Sequence, residues 1–321
     1  MVKGIILISA TDGCSMCEYF EADLIRDEAF ARSVYKDYII QRINSNQVGD
    51  QWLSRILNTP GVPIYVFLDR DLQVQAIKGG MLRKEQTQQI LQQIQTGKDY
   101  VDTAYQYGKD ESVKLAAIRD YLGRQLYAQY VMDLFAVGGP VDARHGHLED
   151  ELLKNNAVYP SFYNNYLLSQ YKLYLGDTIM AKQYADVALK DTDPATLYFN
   201  GSLRVELKTL LNKDYSVYDD PYIGIDRSEI QLGNVAQGKT IDIPLRVKNM
   251  GNKPLQIGDV FTSCGCTVAE VPSDEIASGT EADVRIKITP TGLGAFAHAV
   301  VLRSNAINTP LQLYIKGTTI D

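Results

Sequence analysis

The feature that most limits how this chain can fold is a junction near its start. A continuous apolar run at residues 5–9 is followed, five residues on, by Cys14-Ser15-Met16-Cys17, and helical periodicity begins directly after the pair. A short uninterrupted apolar run is the pattern of a strand buried on both faces. Phe20, Leu24, Ala31 and Val34 then recur at helical spacing, which predicts one helix over residues 15–34. The order strand, cysteine pair, helix puts Cys14 at a helix N-terminus. Unpaired backbone N–H groups and the positive end of the helix dipole favour a thiolate there.

The same texture continues to about residue 97. Residues 38–43 read as a strand, and 51–57 as a short helix ended by Pro60-Gly61. Residues 64–68 and 74–78 read as two strands joined by a tight turn at 69–72, and 82–94 as an amphipathic helix. Pro63 opens the third strand, a place that suits a residue with no N–H to give to the ladder. Two thiols one helical turn apart fit thiol–disulfide exchange, with Cys14 attacking and Cys17 resolving. Half a zinc site has the same spacing, but no second pair stands at zinc-ribbon distance.

Element order, cysteine pair and proline together resemble the thioredoxin-like family over residues 1–97. Residues 18–30 (EYFEADLIRDEAF) are similar to its bacterial envelope branch. The resemblance implies an α/β thioredoxin-like domain with Cys14 as nucleophile and Cys17 as resolving thiol. It implies that Pro63 is a cis-proline beside the disulfide, and that Val62, Ser15 and Met16 meet the substrate. Gly13 stands where many members carry tryptophan, and Ser15-Met16 replaces a Gly-Pro dipeptide.

Residues 98–215 change character. Helical patterns cover 110–135, 162–175, 178–190 and 196–211, and most of the 21 tyrosines fall here. Tyr171 to Asp177, followed by Ala181, Ala185 and Ala188-Leu189, resembles one tetratricopeptide-type helix pair, in which small residues let two helices approach. Only one such unit is visible, so a helical connector with aromatic packing is the other reading of this all-α segment.

Residues 216–321 are strand-rich. Ile241, Ile243, Leu245 and Val247 alternate strictly, as do Val284, Ile286 and Ile288, with turn signals at 249–252 and 290–292. About seven short strands predict an all-β sandwich of immunoglobulin-like architecture. Asn249, Gly251, Pro254-Leu255, Ser263-Cys264-Gly265-Cys266-Thr267, Gly294, Phe296 and Ser304-Asn305-Ala306 resemble an uncharacterised bacterial family of such domains, marked by the Ser-Cys-Gly-Cys-Thr motif. The match covers residues 225–318. Cys264 and Cys266 are candidates for a second redox pair exchanging electrons with the first. Two thiolates can also hold Cu(I), with His298 as a third donor, and two cysteines can equally pack as small apolar side chains. His145-Gly146-His147 lacks a completing donor and reads as a solvated loop.

The net charge is −7 and no segment is basic, which excludes an electrostatic footprint for nucleic acid. No apolar run approaches the roughly 20 residues of a membrane span. Both resemblances imply the periplasm or cell envelope, with a leader expected to be missing, since Met1-Val2-Lys3 runs straight into the apolar stretch. The expected function is a thiol–disulfide oxidoreductase acting on a protein thiol or disulfide partner, with no cofactor and no metal. The alternatives are a non-enzymatic binding or scaffold protein with a degenerate thioredoxin fold, and a Cu(I)-handling protein.

Overall fold

The computed structural model describes residues 2–11, 14–45, 51–57, 62–98, 100–101, 115–138, 147–158, 160–191, 196–197, 200–262 and 267–321. The chain divides into two compact units, Met1–Asp191 and Thr192–Asp321. The first combines helices with a mixed sheet, and the second is a β-sandwich preceded by a helix.

In the first unit the elements run β1 (Gly4–Ala10), α1 (Ser15–Arg26), α2 (Glu28–Tyr35), β2 (Tyr38–Asn44), α3 (Trp52–Leu57), β3 (Ile64–Asp69), β4 (Val74–Gly79), α4 (Lys84–Gln95) and β5 (Tyr100–Val101). The sheet order is β2-β1-β3-β4-β5. β1 runs parallel to β2 and antiparallel to β3, β4 is antiparallel to β3, and β5 is parallel to β4. With strands on both sides and a helix layer above, β1 and β3 are buried along almost their whole length, which is what their unbroken apolar runs demand. On one face Ile6, Ile8, Ala10, Tyr65, Phe67 and Ala76 pack against Phe20 and Leu24 of α1, Phe30 and Val34 of α2, and Ile90 of α4. α3 belongs to the opposite face, where Ser54 donates to Ser45 at 3.1 Å and Ser45 pairs with Ser9 at 2.9 Å.

The single helix expected over residues 15–34 is two helices, broken at Asp27. That residue has extended backbone (φ −126°, ψ 95°), and its carboxylate accepts the Phe30 N–H at 2.9 Å, so it ends α1 and caps α2. Asp27 competes for the backbone it would otherwise continue, and periodicity alone is blind to that competition.

Among the described residues the unit has four further helices: α5 (Leu115–Ala136), α6 (Leu148–Val158), α7 (Phe162–Tyr174) and α8 (Thr178–Leu189). α6 has no counterpart in the sequence pattern. α7 ends in a Schellman turn, with Asp177 N–H donating to Lys172 O and Gly176 N–H to Leu173 O, both at 2.9 Å. Gly176 supplies the positive φ (79°), and Asp177 then caps α8 through the Met180 N–H at 3.0 Å. Ala181, Ala185 and Ala188 form the buried stripe of α8. The approach is close enough for the Ser169 hydroxyl to reach the Ala181 carbonyl at 2.9 Å.

The second unit contains α9 (Gly201–Leu211), and residues 196–197 ahead of it are also helical. The helical pattern at 196–211 is broken at Asn200, which leaves helical geometry (φ −117°, ψ 16°) while its amide donates to Thr196 O at 2.8 Å. The strands are β6 (Ile223–Ile225), β7 (Glu229–Ala236), β8 (Ile241–Asn249), β9 (Ile257–Thr262), β10 (Thr267–Glu270), β11 (Glu281–Ile288), β12 (Gly294–Ser304) and β13 (Leu311–Ile320). They make two four-stranded sheets, β10-β11-β8-β6 and β7-β13-β12-β9. The alternating residues Ile243, Leu245, Val247, Val284, Ile286 and Ile288 face Val300, Leu302, Leu313 and Ile315 in one core. β7 and β13 pair in parallel, unlike every other neighbouring pair in the sandwich. Asp220 ties α9 to the strands: it binds Lys208 of α9, Tyr215 Oη at 2.8 Å and Lys253 Nζ at 2.9 Å. Among the described residues no helix is long and apolar enough to cross a membrane.

Candidate functional site

β1 delivers the chain to α1, and the cysteines sit at the joint. Cys14 is the N-cap of α1, with φ −81° and ψ 97°. The Cys17 N–H is shared between Cys14 Sγ at 3.2 Å and Cys14 O at 3.0 Å. The two side chains form a disulfide, with Cα atoms 5.3 Å apart. Their surroundings differ. Cys17 is 1% exposed and belongs to the core beneath α1, whereas Cys14 is half-buried and reaches the surface. Ser15 opens the helix, and Met16 between the cysteines is 48% exposed.

Register brings Pro63 to the same end of the sheet. Ile64, the first residue of β3, pairs with Ser9, the penultimate residue of β1. Pro63 is buried, and the Val62–Pro63 peptide is cis. Val62 packs against the core cluster that Cys14 also touches. The Pro63 carbonyl accepts the Gly80 N–H at 2.8 Å, and Gly80, at φ +72°, turns the chain out of β4 so that Met81 stands exposed. Tyr19, two residues beyond Cys17, is also exposed, with the Arg83 guanidinium 5.2 Å above its ring. Met16 and Tyr19 thus add apolar surface to the helix that Cys14 caps, and Met81 adds it to the turn hydrogen-bonded to Pro63. The sequence reading missed Tyr19 and Met81. The available signal was Gly79-Gly80, a turn between strand and helix with a large apolar residue after it.

Under the pair, Phe20 meets Tyr65 edge-on at 5.6 Å and Phe30 at 6.3 Å. Tyr65 is fully buried, and its hydroxyl makes no hydrogen bond among the described residues. Burial raises its pKa, so it stays protonated. Beside it, Arg42 Nη1 holds Glu21 at 3.0 and 3.2 Å, and Nη2 donates to Thr11 O at 3.4 Å. Further along α1, Asp23 receives Arg83 Nε at 2.8 Å, Arg83 Nη2 at 3.0 Å and the Lys84 N–H at 3.0 Å. The Arg83 hydrogen bond holds the Asp23 pKa below its ordinary value despite the opposing effect of burial.

Cys264 and Cys266 lie outside the described residues, as do His145 and Gly146, so the readings attached to them lie there too. His298 is on β12, stacked on Phe296 at 5.1 Å, and burial lowers its pKa. Among the described residues no group of three or more His, Cys, Asp or Glu side chains is arranged to hold a metal ion. A cleft of about 450 Å³ lies between the β3–β4 turn, α5 and α6, lined in part by Leu72, Arg124, Tyr127 and His147. That turn is at the opposite end of β3 from Pro63.

No curated protein matches the chain. Among solved structures, a protein of unknown function from Porphyromonas gingivalis W83 is 19% identical over 33% of this chain and 50% of its own, with a TM-score of 0.29. The match therefore spans half the length of that protein. The ASH/PapD-like domain 7 of human CEP192 is 15% identical over 34% of this chain and 92% of its own, with a TM-score of 0.26. The secreted serine protease VesC from Vibrio cholerae is 19% identical over 35% and 26%, with a TM-score of 0.27. Likenesses at this level carry no argument about activity. Residues 223–319, which hold every residue of the sandwich strands but Ile320, match the family described as "Protein of unknown function (DUF1573)".

Proposed function

We propose that the first unit is a thioredoxin-like thiol–disulfide oxidoreductase acting on proteins in the bacterial cell envelope. The observation that carries this reading is the asymmetry of the pair: Cys14 is a half-buried helix N-cap, and Cys17, one turn on, is buried. In the reducing direction, the Cys14 thiolate attacks a substrate disulfide and expels one substrate sulfur as a thiolate. Cys17 then attacks Cys14 Sγ, the second substrate sulfur leaves with its electron pair, and the Cys14–Cys17 disulfide closes. The oxidising direction runs the same steps backwards. In this reading Pro63 and Val62 flank the reacting sulfur, supported by Val62 and Cys14 packing on the same core cluster, and exposed Met16, Tyr19 and Met81 offer apolar surface to a polypeptide. In this reading α7 and α8 are a tetratricopeptide-like hairpin and the sandwich is immunoglobulin-like, both serving to position a protein partner.

The test is the reduction potential of Cys14/Cys17, measured by thiol labelling in defined glutathione and dithiothreitol buffers. A reversible two-electron couple, with insulin-disulfide turnover lost in Cys14→Ser, supports the proposal. No reversible couple in the wild type overturns it in favour of a binding protein. Fractionation of cells making the full gene product tests the envelope assignment.

A further inference from the structure

Tyr65 presents a question that packing does not answer. A buried hydroxyl without a partner costs stability, and phenylalanine would fill the same space without that cost. The hydroxyl therefore needs another reason to be there, and its position supplies one. Tyr65 and Tyr38 are the two tyrosines in the core cluster that contains Cys17. Tyr38 is in register with Gly4, at the start of β1, whereas Tyr65 is in register with Ile8, two residues before the strand ends and the chain turns toward Cys14. Tyr65 also touches Phe20, which lies three residues after Cys17 on the same helix face. The phenol thus stands at the cysteine end of the core, and Tyr38 at the other.

Opening the disulfide creates a need at that end. When a thiolate bonds to Cys14 Sγ, the Cys14–Cys17 bond breaks and Cys17 leaves with the electron pair. Cys17 is 1% exposed, so bulk water does not solvate the new charge. A buried anion without a donor is strongly disfavoured. Apart from the two tyrosines, the buried side chains of that cluster are hydrocarbon or sulfur. We infer that the Tyr65 hydroxyl is held in reserve for the reduced state, donating a hydrogen bond to the Cys17 sulfur once the disulfide opens. The co-reactant is a dithiol, which is oxidised to its disulfide as the pair takes up two electrons; Cys14 takes one proton, the other passes to the buffer, and Cys17 stays a thiolate. This inference rests on the redox reading above.

Tyr65→Phe tests it, with Tyr38→Phe as the control for loss of a hydroxyl from the same core. The potentials of all three proteins are compared in glutathione buffers, and the melting temperatures of their oxidised forms are recorded. The expected result is an equilibrium shifted about tenfold toward the disulfide in Tyr65→Phe, as expected for loss of a hydrogen bond to a charged group. Tyr38→Phe leaves the equilibrium within twofold of the wild type, and the oxidised Tyr65→Phe protein melts no lower than the wild type. A reversible couple that Tyr65→Phe leaves unmoved, or that both variants shift alike, overturns the role of Tyr65 and leaves the redox reading standing. Absence of a couple in the wild type overturns both.

Discussion

Asp23 and Arg83, 60 residues apart in sequence, are joined by two hydrogen bonds at 2.8 and 3.0 Å. The pair locks α1, which begins with the cysteines, to the start of α4. Asp23→Asn keeps the shape and removes the charge, and it is expected to lower the melting temperature by a few degrees, equivalent to about 1–2 kcal/mol. The folded-state pKa of Asp23 is depressed, so the stabilisation is present above the carboxylate's ordinary value of 3.8 and is lost as pH falls below it. Melting curves from pH 7 to pH 3 check both points: the gap between wild type and variant narrows toward the acid end.

The unequal exposure of the two sulfurs predicts an order of labelling. In fully reduced protein, iodoacetamide is expected to modify Cys14 at least about tenfold faster than Cys17, because the reagent needs an accessible thiolate. Peptide mass mapping at short times reads the ratio directly, and equal rates would contradict the burial of Cys17.

Asp220 is the acid-sensitive point of the second unit. Burial pushes its pKa up, but hydrogen bonds from Lys208, Lys253 and Tyr215 outweigh that and bring it down to about 2. A depressed pKa contributes stability that is complete above about pH 4 and disappears as pH falls through about 2. The difference from the ordinary value is worth about 2 kcal/mol. Asp220→Asn is expected to lose at least that much at pH 7, read by urea denaturation of the whole chain. The loss should shrink toward pH 2.

The α7–α8 contact depends on small side chains. Ala185→Leu puts three extra carbons into a fully buried position and is expected to cost about 1–3 kcal/mol. Gln183→Leu, on the exposed side of the same helix, is the control and should stay within about 0.5 kcal/mol of the wild type. Equal losses in both would contradict the buried alanine stripe.

The elements that the sequence made legible are those whose burial is written as periodicity. β1 and β3 are sandwiched in the sheet and read as solid apolar runs. β8 and β11 have one buried face and alternate. The turn at Gly176-Asp177 was readable because a positive φ and a helix cap call for those two residues. The break at Asp27 was not, since the apolar spacing continues across it and only a side-chain hydrogen bond interrupts the helix. β5 is two residues long, too short for any period to register. α6 (LEDELLKNNAV) was also missed, because its buried set, Leu148, Leu152 and Asn155, includes an amide. That amide donates to Tyr121 O at 3.2 Å, a partner in another helix that no local pattern reveals. At the site, the cysteines and Pro63 were legible as residue types, while Tyr19, Tyr65 and Met81 acquire their meaning from register and from a glycine turn.

The parallel pairing of β7 with β13 has a consequence for the order in which the protein is made. Glu229 and Lys316, 87 positions apart in sequence, meet across the pair, and Leu313 and Ile315 complete a core begun by Ile230. A ribosome emits β7 long before its partner exists, so the sandwich cannot close until β13 has emerged. The first unit contains its own sheet and can finish folding during that interval. Synthesis thus leaves a period in which the sandwich strands are exposed beside a completed N-terminal unit, and it is during that period that a chaperone or an aggregating neighbour would find them.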